Sequence, residues 1–174
     1  NDQMKETLHL LESGGYIYET WIYHNNWEML NEIAQTHKDL KIIINDCMTP
    51  VGIGEKQDQA FTEWKYGIME LAKNENVYIK LGGLGMPITG LFTFMNKFIA
   101  PSSNKISEII GKYYNYILQE FGEDRVMFGS NFPPDKVSFS YTNYTNAVKK
   151  IFQDETNVTK HKIFYQNARN MYLT

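Results

Sequence analysis

Four polar side chains lie at or just past the ends of four short apolar runs in this chain. They are His24, Asp46, Lys80 and Asn131, which carry an imidazole, a carboxylate, an ammonium and an amide. Groups of these types can move a proton, polarise a carbonyl oxygen or ligate a metal ion. Any loop also needs polar residues, and Asp46 or Asn131 could each serve only to form a turn. The recurrence of one such group at every run favours a shared site.

The apolar runs have the pattern of buried strands, and helices separate them. The strand-like segments are residues 16–23, 40–44, 77–81 and 125–129. Apolar side chains recur at helical spacing over residues 4–11, 27–34, 61–72, 106–121, 144–152 and 160–172. Short strands that alternate with longer helices are typical of a parallel α/β sheet with both faces covered. The predicted fold class is therefore α/β.

Two parallel α/β architectures compete for this pattern. A dinucleotide-binding fold needs G-x-G-x-x-G directly between a strand and a helix, whereas Gly82-Gly83-Leu84-Gly85 opens a long loop that reaches Ser103. The Gly-Lys-Ser/Thr triplet of a P-loop does not occur in the sequence. In a (β/α)8 barrel, catalytic groups gather at the carboxyl ends of the strands, which is where the polar side chains lie. The sequence therefore predicts parallel (β/α) units of a TIM barrel.

Length and composition indicate a single domain, residues 1–174, that corresponds to part of a barrel. The chain is 43% hydrophobic and 14% aromatic, which is enough apolar material for a packed core. A complete TIM barrel takes about 250 residues, whereas these 174 residues supply four strands. We expect the C-terminal half of a (β/α)8 barrel, with four parallel strands in chain order and uncovered sheet edges at the first and the last strand.

Charge and cysteine content exclude several classes of partner. The chain has 17 Lys and Arg residues against 20 Asp and Glu residues, a net charge of −3, unlike the basic domains that bind nucleic acids. No apolar run approaches the roughly 18 residues that span a bilayer. The single cysteine, Cys47, cannot form an internal disulfide, which favours a reducing, cytoplasmic location, and we interpret it as a buried apolar filler. We expect a small-molecule substrate, no nucleic acid and no membrane.

Motifs at the four strand ends resemble the C-terminal half of the amidohydrolase-related family, also called amidohydrolase family 2. They are WIYH at 21–24, NDCMTPVGIG at 45–54, KLGGLGM at 80–86 and MFGSNFPPDK at 127–136. The resemblance extends over residues 8–173. Members of this family are TIM-barrel hydrolases, lactonases and decarboxylases that act on small organic acids. The resemblance therefore implies a barrel with its pocket at the carboxyl ends of the strands.

The resemblance also bears on a metal ion. In metal-dependent members the ligands are a His-x-His pair on the first strand, a His after the fifth, a His ending the sixth and an Asp ending the eighth. His24 matches the His after the fifth strand, whereas Asp46 and Asn131 stand where the other His and the Asp are expected. An amide binds a divalent cation less well than a carboxylate, and a carboxylate in place of imidazole weakens the preference for zinc. We predict no tightly bound metal in this chain, and a zinc ion in the full-length protein would need further ligands from the rest of the barrel.

These observations predict a hydrolase that acts on a small carbonyl substrate such as a lactone, an amide or a related organic acid. Water would be activated by the Asp46 carboxylate or by a metal ion. His24 and Asn131 are further catalytic candidates, and the candidates for substrate binding are Lys80, Trp21 and Met86. Two alternatives stay open: a catalytically inactive barrel or half-barrel that acts as a binding or assembly module, and a non-oxidative decarboxylase of the same family.

The long segment 86–103 leaves the end of a predicted strand and is punctuated by Gly and Pro. Its apolar side chains include Phe92, Phe94, Met95 and Phe98. Long loops in compact domains are usually lids or binding loops, and a contact within a homo-oligomer, or with the missing half of the barrel, is the alternative use. We expect this segment and the four polar residues at one end of the sheet, and a pocket at the opposite end would count against that site.

Overall fold

The computed structural model describes residues 2–52, 57–92 and 100–173. Its strands are β1 (Ile17–Thr20), β2 (Lys41–Ile44), β3 (Val77–Lys80) and β4 (Val126–Met127). Its α-helices are α1 (Asp2–Ser13), α2 (Trp27–Thr36), α3 (Gln57–Ala72), α4 (Ser103–Phe121), α5 (Tyr141–Ile151), α6 (Asn157–His161) and α7 (Asn167–Tyr172). A π-helical turn, Lys162–Gln166, joins α6 to α7. None of the helices in these ranges is long and apolar enough to cross a membrane.

The strands form a sheet in the order β1-β2-β3-β4, and every neighbouring pair is parallel. This confirms the four parallel strands in chain order. β1 is shorter than the predicted 16–23, because its last ladder bond runs from the Asn45 amide to the Thr20 carbonyl, and beyond it the His24 amide donates to Thr49 in a loop. β4 is also shorter than predicted, because the Phe128 amide donates to the Ile163 carbonyl in the π-helical turn.

The two faces of the sheet are covered differently. Ile42, Ile44, Ile79 and their neighbours on one face are fully buried against α2, α3 and α4, in the main hydrophobic core. The other face carries Ile43 and Met127, and Met171 from α7 packs on them in a separate, smaller cluster. The C-terminal helix therefore lies on the face of the sheet that is opposite the main helical layer.

The edge at β4 is less open than we expected. The Asn167 side chain donates to the carbonyls of Glu123 and Val126, which anchors α7 beside the start of the strand. Together with the bond from Phe128 to Ile163, this contact satisfies part of the edge with the chain's own C-terminal segment.

Three helices begin before the point that apolar spacing predicts, because a hydroxyl caps each of them. Ser102, Ser140 and Thr156 accept hydrogen bonds from the backbone amide three residues later, at the starts of α4, α5 and α6. Such a cap satisfies one of the amides that the first turn leaves without a helical partner.

Candidate active site

The loops after β2, β3 and β4 pack against one another at the carboxyl end of the sheet. A Cβ atom on Gly83 would clash with the Asp46 side chain, and one on Gly129 would lie 2.5 Å from the Leu81 carbonyl oxygen. Gly83 also has a φ of +72°, in the left-handed region that favours glycine. The glycines of this region therefore allow the close approach of loops that carry the predicted site residues.

The backbone is strained at this same end of the sheet. Asp46, Cys47 and Met48 have φ angles of 54°, 56° and 52°, and Asn131 has a φ of 48°. Left-handed φ values are uncommon for residues other than glycine and occur where the surrounding structure enforces them, often at functional sites. The indole of Trp64 donates to the Cys47 carbonyl at 2.7 Å and helps to enforce this turn. The strain therefore supports a functional site at the ends of β2 and β4.

Asp46 presents a half-buried carboxylate directly after β2. Burial raises the pKa of Asp46, the Lys80 ammonium opposes this rise, and the Glu19 carboxylate adds to it. A carboxylate with a raised pKa is a stronger base than an ordinary one and is still ionised at neutral pH unless the shift is large. Asp46 can therefore accept a proton from water.

Lys80 lies at the end of β3 and is held by a cluster on the face of the sheet that carries Ile43 and Met127. Its Nζ is 2.6 Å from Glu19 Oε1 and 4.9 Å from the centre of the Tyr172 ring. The Tyr172 hydroxyl donates to Glu19 at 2.5 Å. Burial opposes ionisation of Glu19, but the hydrogen bonds from Lys80 and Tyr172 lower its pKa. The cluster fixes the ammonium close enough to Asp46 to affect its pKa.

His24 and Trp21 support the loop after β2. The buried His24 ring accepts a hydrogen bond at Nδ1 from the Val51 amide at 3.1 Å, and its Nε2 lies 3.4 Å from Glu63 Oε2 in α3. Because Nδ1 is an acceptor, the ring proton is on Nε2 and faces Glu63. The Trp21 indole, which is half exposed, donates to the Thr49 hydroxyl at 2.8 Å. These contacts give both side chains a part in holding the loop, and their roles in catalysis and binding stay predictions.

Asp135 belongs to this site, although sequence reasoning did not include it. Its side chain has 0% exposure and accepts hydrogen bonds from Asn131 Nδ2 at 2.9 Å and from the Gly83 amide at 3.1 Å. The Gly85 amide donates to the same carboxylate. Burial raises the pKa of Asp135 to about 7 against these hydrogen bonds, and the charge of Asp46 adds to the rise. The only signal in the sequence is its position in the motif at 127–136, after two prolines rather than at the strand end.

Two buried tyrosines, Tyr114 and Tyr144, support the loop after β4 from the hydrophobic core. The Tyr144 hydroxyl donates to the Gly129 carbonyl at 2.7 Å and lies 2.7 Å from the hydroxyl of Tyr114. Both rings are buried, so neither hydroxyl has ready access to water. The position of Asn131, two residues after Gly129, therefore depends on a polar contact within the core.

The described part of the segment 86–103 lies at the same end as Asp46. The Gly52 amide in the loop after β2 donates to the Ile88 carbonyl at 3.2 Å. Met86 is half-buried before a 3₁₀ turn, and the Phe92 ring packs edge-on to Phe139 at 5.1 Å. Residues 93–99, with Phe94, Met95 and Phe98, lie outside the described residues. The roles of Met86 in binding and of the segment as a lid stay predictions.

The residues that the family resemblance implies as metal ligands do not fit a zinc site. The Asn131 amide nitrogen donates to Asp135, and both nitrogens of His24 face groups of the chain itself. Over residues 2–52, 57–92 and 100–173, no group of three or more His, Cys, Asp or Glu side chains could hold a metal ion. A metal ion at this end of the sheet would therefore need ligands from outside the described residues.

Within residues 2–52, 57–92 and 100–173, three surface cavities lie away from the candidate site. One of about 400 Å³ is among the helix-to-strand loops beside Asn74 and Asn76, one of about 480 Å³ lies between α1 and α2, and one of about 320 Å³ lies beside Glu123 and Glu155. The first cavity counts against a site at the carboxyl end. The buried Asp135 and the strained backbone, both at the carboxyl end, outweigh it, because stability and not catalysis is the usual role of the other end.

Comparison with known proteins identifies the family. The sequence model of the amidohydrolases matches residues 10–173, and the chain belongs to this family. It is 32% identical over 158 residues to the uncharacterized protein y4mH of Sinorhizobium fredii, an alignment that covers 91% of this chain and 47% of that protein. The chain therefore spans about half the length of this curated relative.

Solved structures confirm the fold class. An amidohydrolase from Burkholderia multivorans with bound zinc matches with a TM-score of 0.78 at 18% identity, over 95% of this chain and 55% of that one. A putative 2-pyrone-4,6-dicarboxylic acid hydrolase from Pseudomonas putida matches with a TM-score of 0.66 at 15% identity, over 94% of this chain and 54% of that one. These neighbours are TIM barrels. The four parallel strands and their helices therefore form part of the same α/β architecture.

Proposed function

We propose that this chain forms the half of an amidohydrolase barrel in which Asp46 is the general base for hydrolysis of a small carbonyl substrate, such as a lactone or an amide. The observation that carries the proposal is the Asp46 carboxylate: half-buried at a strand end, on a strained backbone, with its pKa raised by burial and the Lys80 ammonium near it. Membership of the amidohydrolase family supports hydrolysis as the class of reaction.

The proposed step transfers a proton from water to the Asp46 carboxylate as the water oxygen attacks the carbonyl carbon. The tetrahedral intermediate then collapses, the bond from carbon to the leaving oxygen or nitrogen breaks, and protonated Asp46 gives its proton to the leaving atom, which restores the carboxylate. Asn131, Lys80 or a backbone N–H could stabilise the developing oxyanion, and Asn131 already donates one of its two side-chain amide hydrogens to Asp135. Lys80 is therefore the better candidate, because its positive charge is fixed near Asp46.

We also propose that the other half of the barrel, in the same protein or from a partner chain, completes the pocket. Support comes from the match to about half of each neighbour's length and from β1 and β4, which are the outer strands of the sheet. A small-molecule substrate, a homo-oligomer and a cytoplasmic location stay predictions.

The inactive binding module stays the second candidate, and one observation favours it. The groups at two of the positions where the family resemblance implies metal ligands, His24 and Asn131, are engaged by the chain's own Val51, Glu63 and Asp135. A module without catalysis would bind small carboxylic acids or lactones without turnover.

A hydrolysis assay separates the two candidates. The purified chain, by itself and together with the rest of the barrel, is given a panel of lactones and amides. Lactone hydrolysis is followed by proton release with a pH indicator, and amide hydrolysis is followed by the amount of amine or ammonia formed. We expect turnover that Asp46→Asn abolishes and that the exposed control Asp154→Asn leaves unchanged. Binding without turnover supports the inactive module, and release of carbon dioxide instead of simple hydrolysis identifies the decarboxylase.

A further inference from the structure

A buried carboxylate connects two of the loops that form the candidate site. Asp135 lies in the 3₁₀ turn Pro134–Val137, after β4, and has 0% exposure. It accepts from the amides of Gly83 and Gly85, in the loop after β3, and from the side-chain amide of Asn131. Two of these contacts join the loop after β4 to the loop after β3, and the third holds the side chain of a site residue. The carboxylate therefore has a role beyond its own 3₁₀ turn.

The packing around Asp135 leaves little freedom. A Cβ atom on Gly85 would lie 2.9 Å from the Asp135 carboxyl carbon. The Ser138 hydroxyl donates to the Gly85 carbonyl at 2.5 Å, so the turn binds both the amide and the carbonyl of this glycine. The Asp135 backbone amide donates to the Asn131 carbonyl at 3.0 Å. Asn131 and Asp135 are therefore joined by a backbone hydrogen bond as well as by a side-chain hydrogen bond.

We propose that Asp135 is a positioning residue of the site: its carboxylate joins the loops after β3 and β4, and it requires a hydrogen-bond donor, and therefore Asn rather than Asp, at position 131. This role in positioning rests on the proposed function, whereas the contact itself does not. A carboxylate at 131 would face the Asp135 carboxylate at hydrogen-bond distance, and two such groups cannot both ionise without strong repulsion. The family pattern places an Asp at the end of this strand. In this chain the carboxylate belongs to Asp135, about one turn later, and it accepts hydrogen bonds from the backbone amides of Gly83 and Gly85.

A double-mutant cycle tests this requirement. Wild type, Asn131→Asp, Asp135→Asn and the double variant are unfolded in urea at pH 8, where Asp135 is mostly ionised. We expect Asn131→Asp to lower the folding equilibrium constant by about tenfold to a hundredfold, the range for an unpaired buried polar group. Adding Asp135→Asn should then restore about tenfold, because the amide introduced at position 135 can donate to the carboxylate introduced at position 131. Additive effects of the two substitutions would overturn the proposal.

The backbone amides of the loop give a readout that a general loss of stability does not move. Hydrogen exchange of Gly83 and Gly85 is measured by NMR in wild type and Asp135→Ala, after correction for global stability. The matched control is Asn76→Ala, because Asn76 also makes three hydrogen bonds, to the carbonyls of Ala34, His37 and Leu40 at the opposite end of the sheet. Loss of local protection in Asp135→Ala but not in Asn76→Ala is expected, and equal effects would overturn the proposal.

Two further outcomes complete the test. If the substituted chains do not fold, NMR couplings across the hydrogen bonds from the Gly83 and Gly85 amide nitrogens to the Asp135 carboxyl carbon are measured in wild type; the couplings are expected, and their absence overturns the contact. In the hydrolysis assay, Asp135→Asn should lower kcat at least tenfold with little change in KM. Coupling between 131 and 135 with an unchanged kcat would overturn the positioning role, and a wild type without activity would count against the proposed function while the cycle still decides the contact.

Discussion

Asp135→Asn should remove much of the pH dependence of stability between pH 5 and pH 8. The pKa of Asp135 rises from the ordinary 3.8 to about 7 in the folded chain, chiefly through burial. The folded state therefore binds a proton more tightly than the unfolded state does. Stability from this group is fully present below the unfolded pKa and is lost as pH rises through about 7.

The magnitude follows from the same shift. Each pKa unit corresponds to about 1.4 kcal/mol, so the whole shift is worth roughly 4 kcal/mol. Between pH 5 and pH 8 the part that titrates is about 2–3 kcal/mol of unfolding free energy, because the folded group keeps its proton up to about pH 7 while the unfolded group is ionised over this whole range. Burial likewise raises the pKa of Asp46, which adds a slope of the same sign in both proteins.

Urea unfolding of wild type and Asp135→Asn at pH 5, 6, 7 and 8 measures the effect. The wild type should lose stability as pH rises, and the variant should show a slope smaller by about 2–3 kcal/mol over this range. The exposed control Asp154→Asn should keep the wild-type slope. Equal slopes in wild type and Asp135→Asn would refute the inference that this carboxyl titrates near neutrality.

Three further substitutions test the packing and the charges of the site. Gly83→Ala should lower the unfolding free energy by at least about 1–3 kcal/mol in urea, since the left-handed φ and the contact with Asp46 both oppose a Cβ. Tyr144→Phe should cost about 1–3 kcal/mol by the same measurement, because the buried Gly129 carbonyl loses its donor. Lys80→Met should shift the acid limb of the pH–rate profile of hydrolysis to higher pH. In wild type the Lys80 ammonium lowers the pKa of Asp46, and the variant loses this effect.

Each of these substitutions has a matched control. Gly111→Ala in α4 meets only the Ile151 side chain at 3.7 Å and should stabilise the chain by about 0.5–1 kcal/mol. Tyr165→Phe removes the hydroxyl of a half-exposed ring, and Lys73→Met removes an exposed ion pair, so neither should change stability or pH profile much. Variants indistinguishable from these controls would contradict the account of the site.

The strands were predictable because their physical signal is local. Leu40 to Ile44 and Val77 to Leu81 are mostly apolar, with one lysine in each, and burial on both faces of a parallel sheet favours that composition. The glycines at 82–85 were visible as a loop, but their close approach to Asp46 was not. The starts of α4, α5 and α6 were predicted too late, because a cap depends on one hydroxyl and not on apolar spacing. The capping residues are Ser102, Ser140 and Thr156.

The site was predictable only in part. Asp46 follows a strand directly, so its place at the carboxyl end could be inferred from parallel topology. Asp135 could not be inferred, because its contacts with Gly83 and Gly85 join residues about 50 positions apart in sequence. The Tyr172 hydroxyl on Glu19 joins residues still farther apart, 153 positions, and depends on how α7 docks on the sheet.

The most direct test of the central claim is the rate of lactone or amide hydrolysis by the barrel that contains this chain, with and without Asp46→Asn. General-base catalysis by a side chain contributes about 10²–10⁴-fold, so Asp46→Asn should lower kcat by that factor while Asp154→Asn leaves it unchanged. Hydrolysis at the wild-type rate by Asp46→Asn would contradict the assignment of this carboxylate as the base.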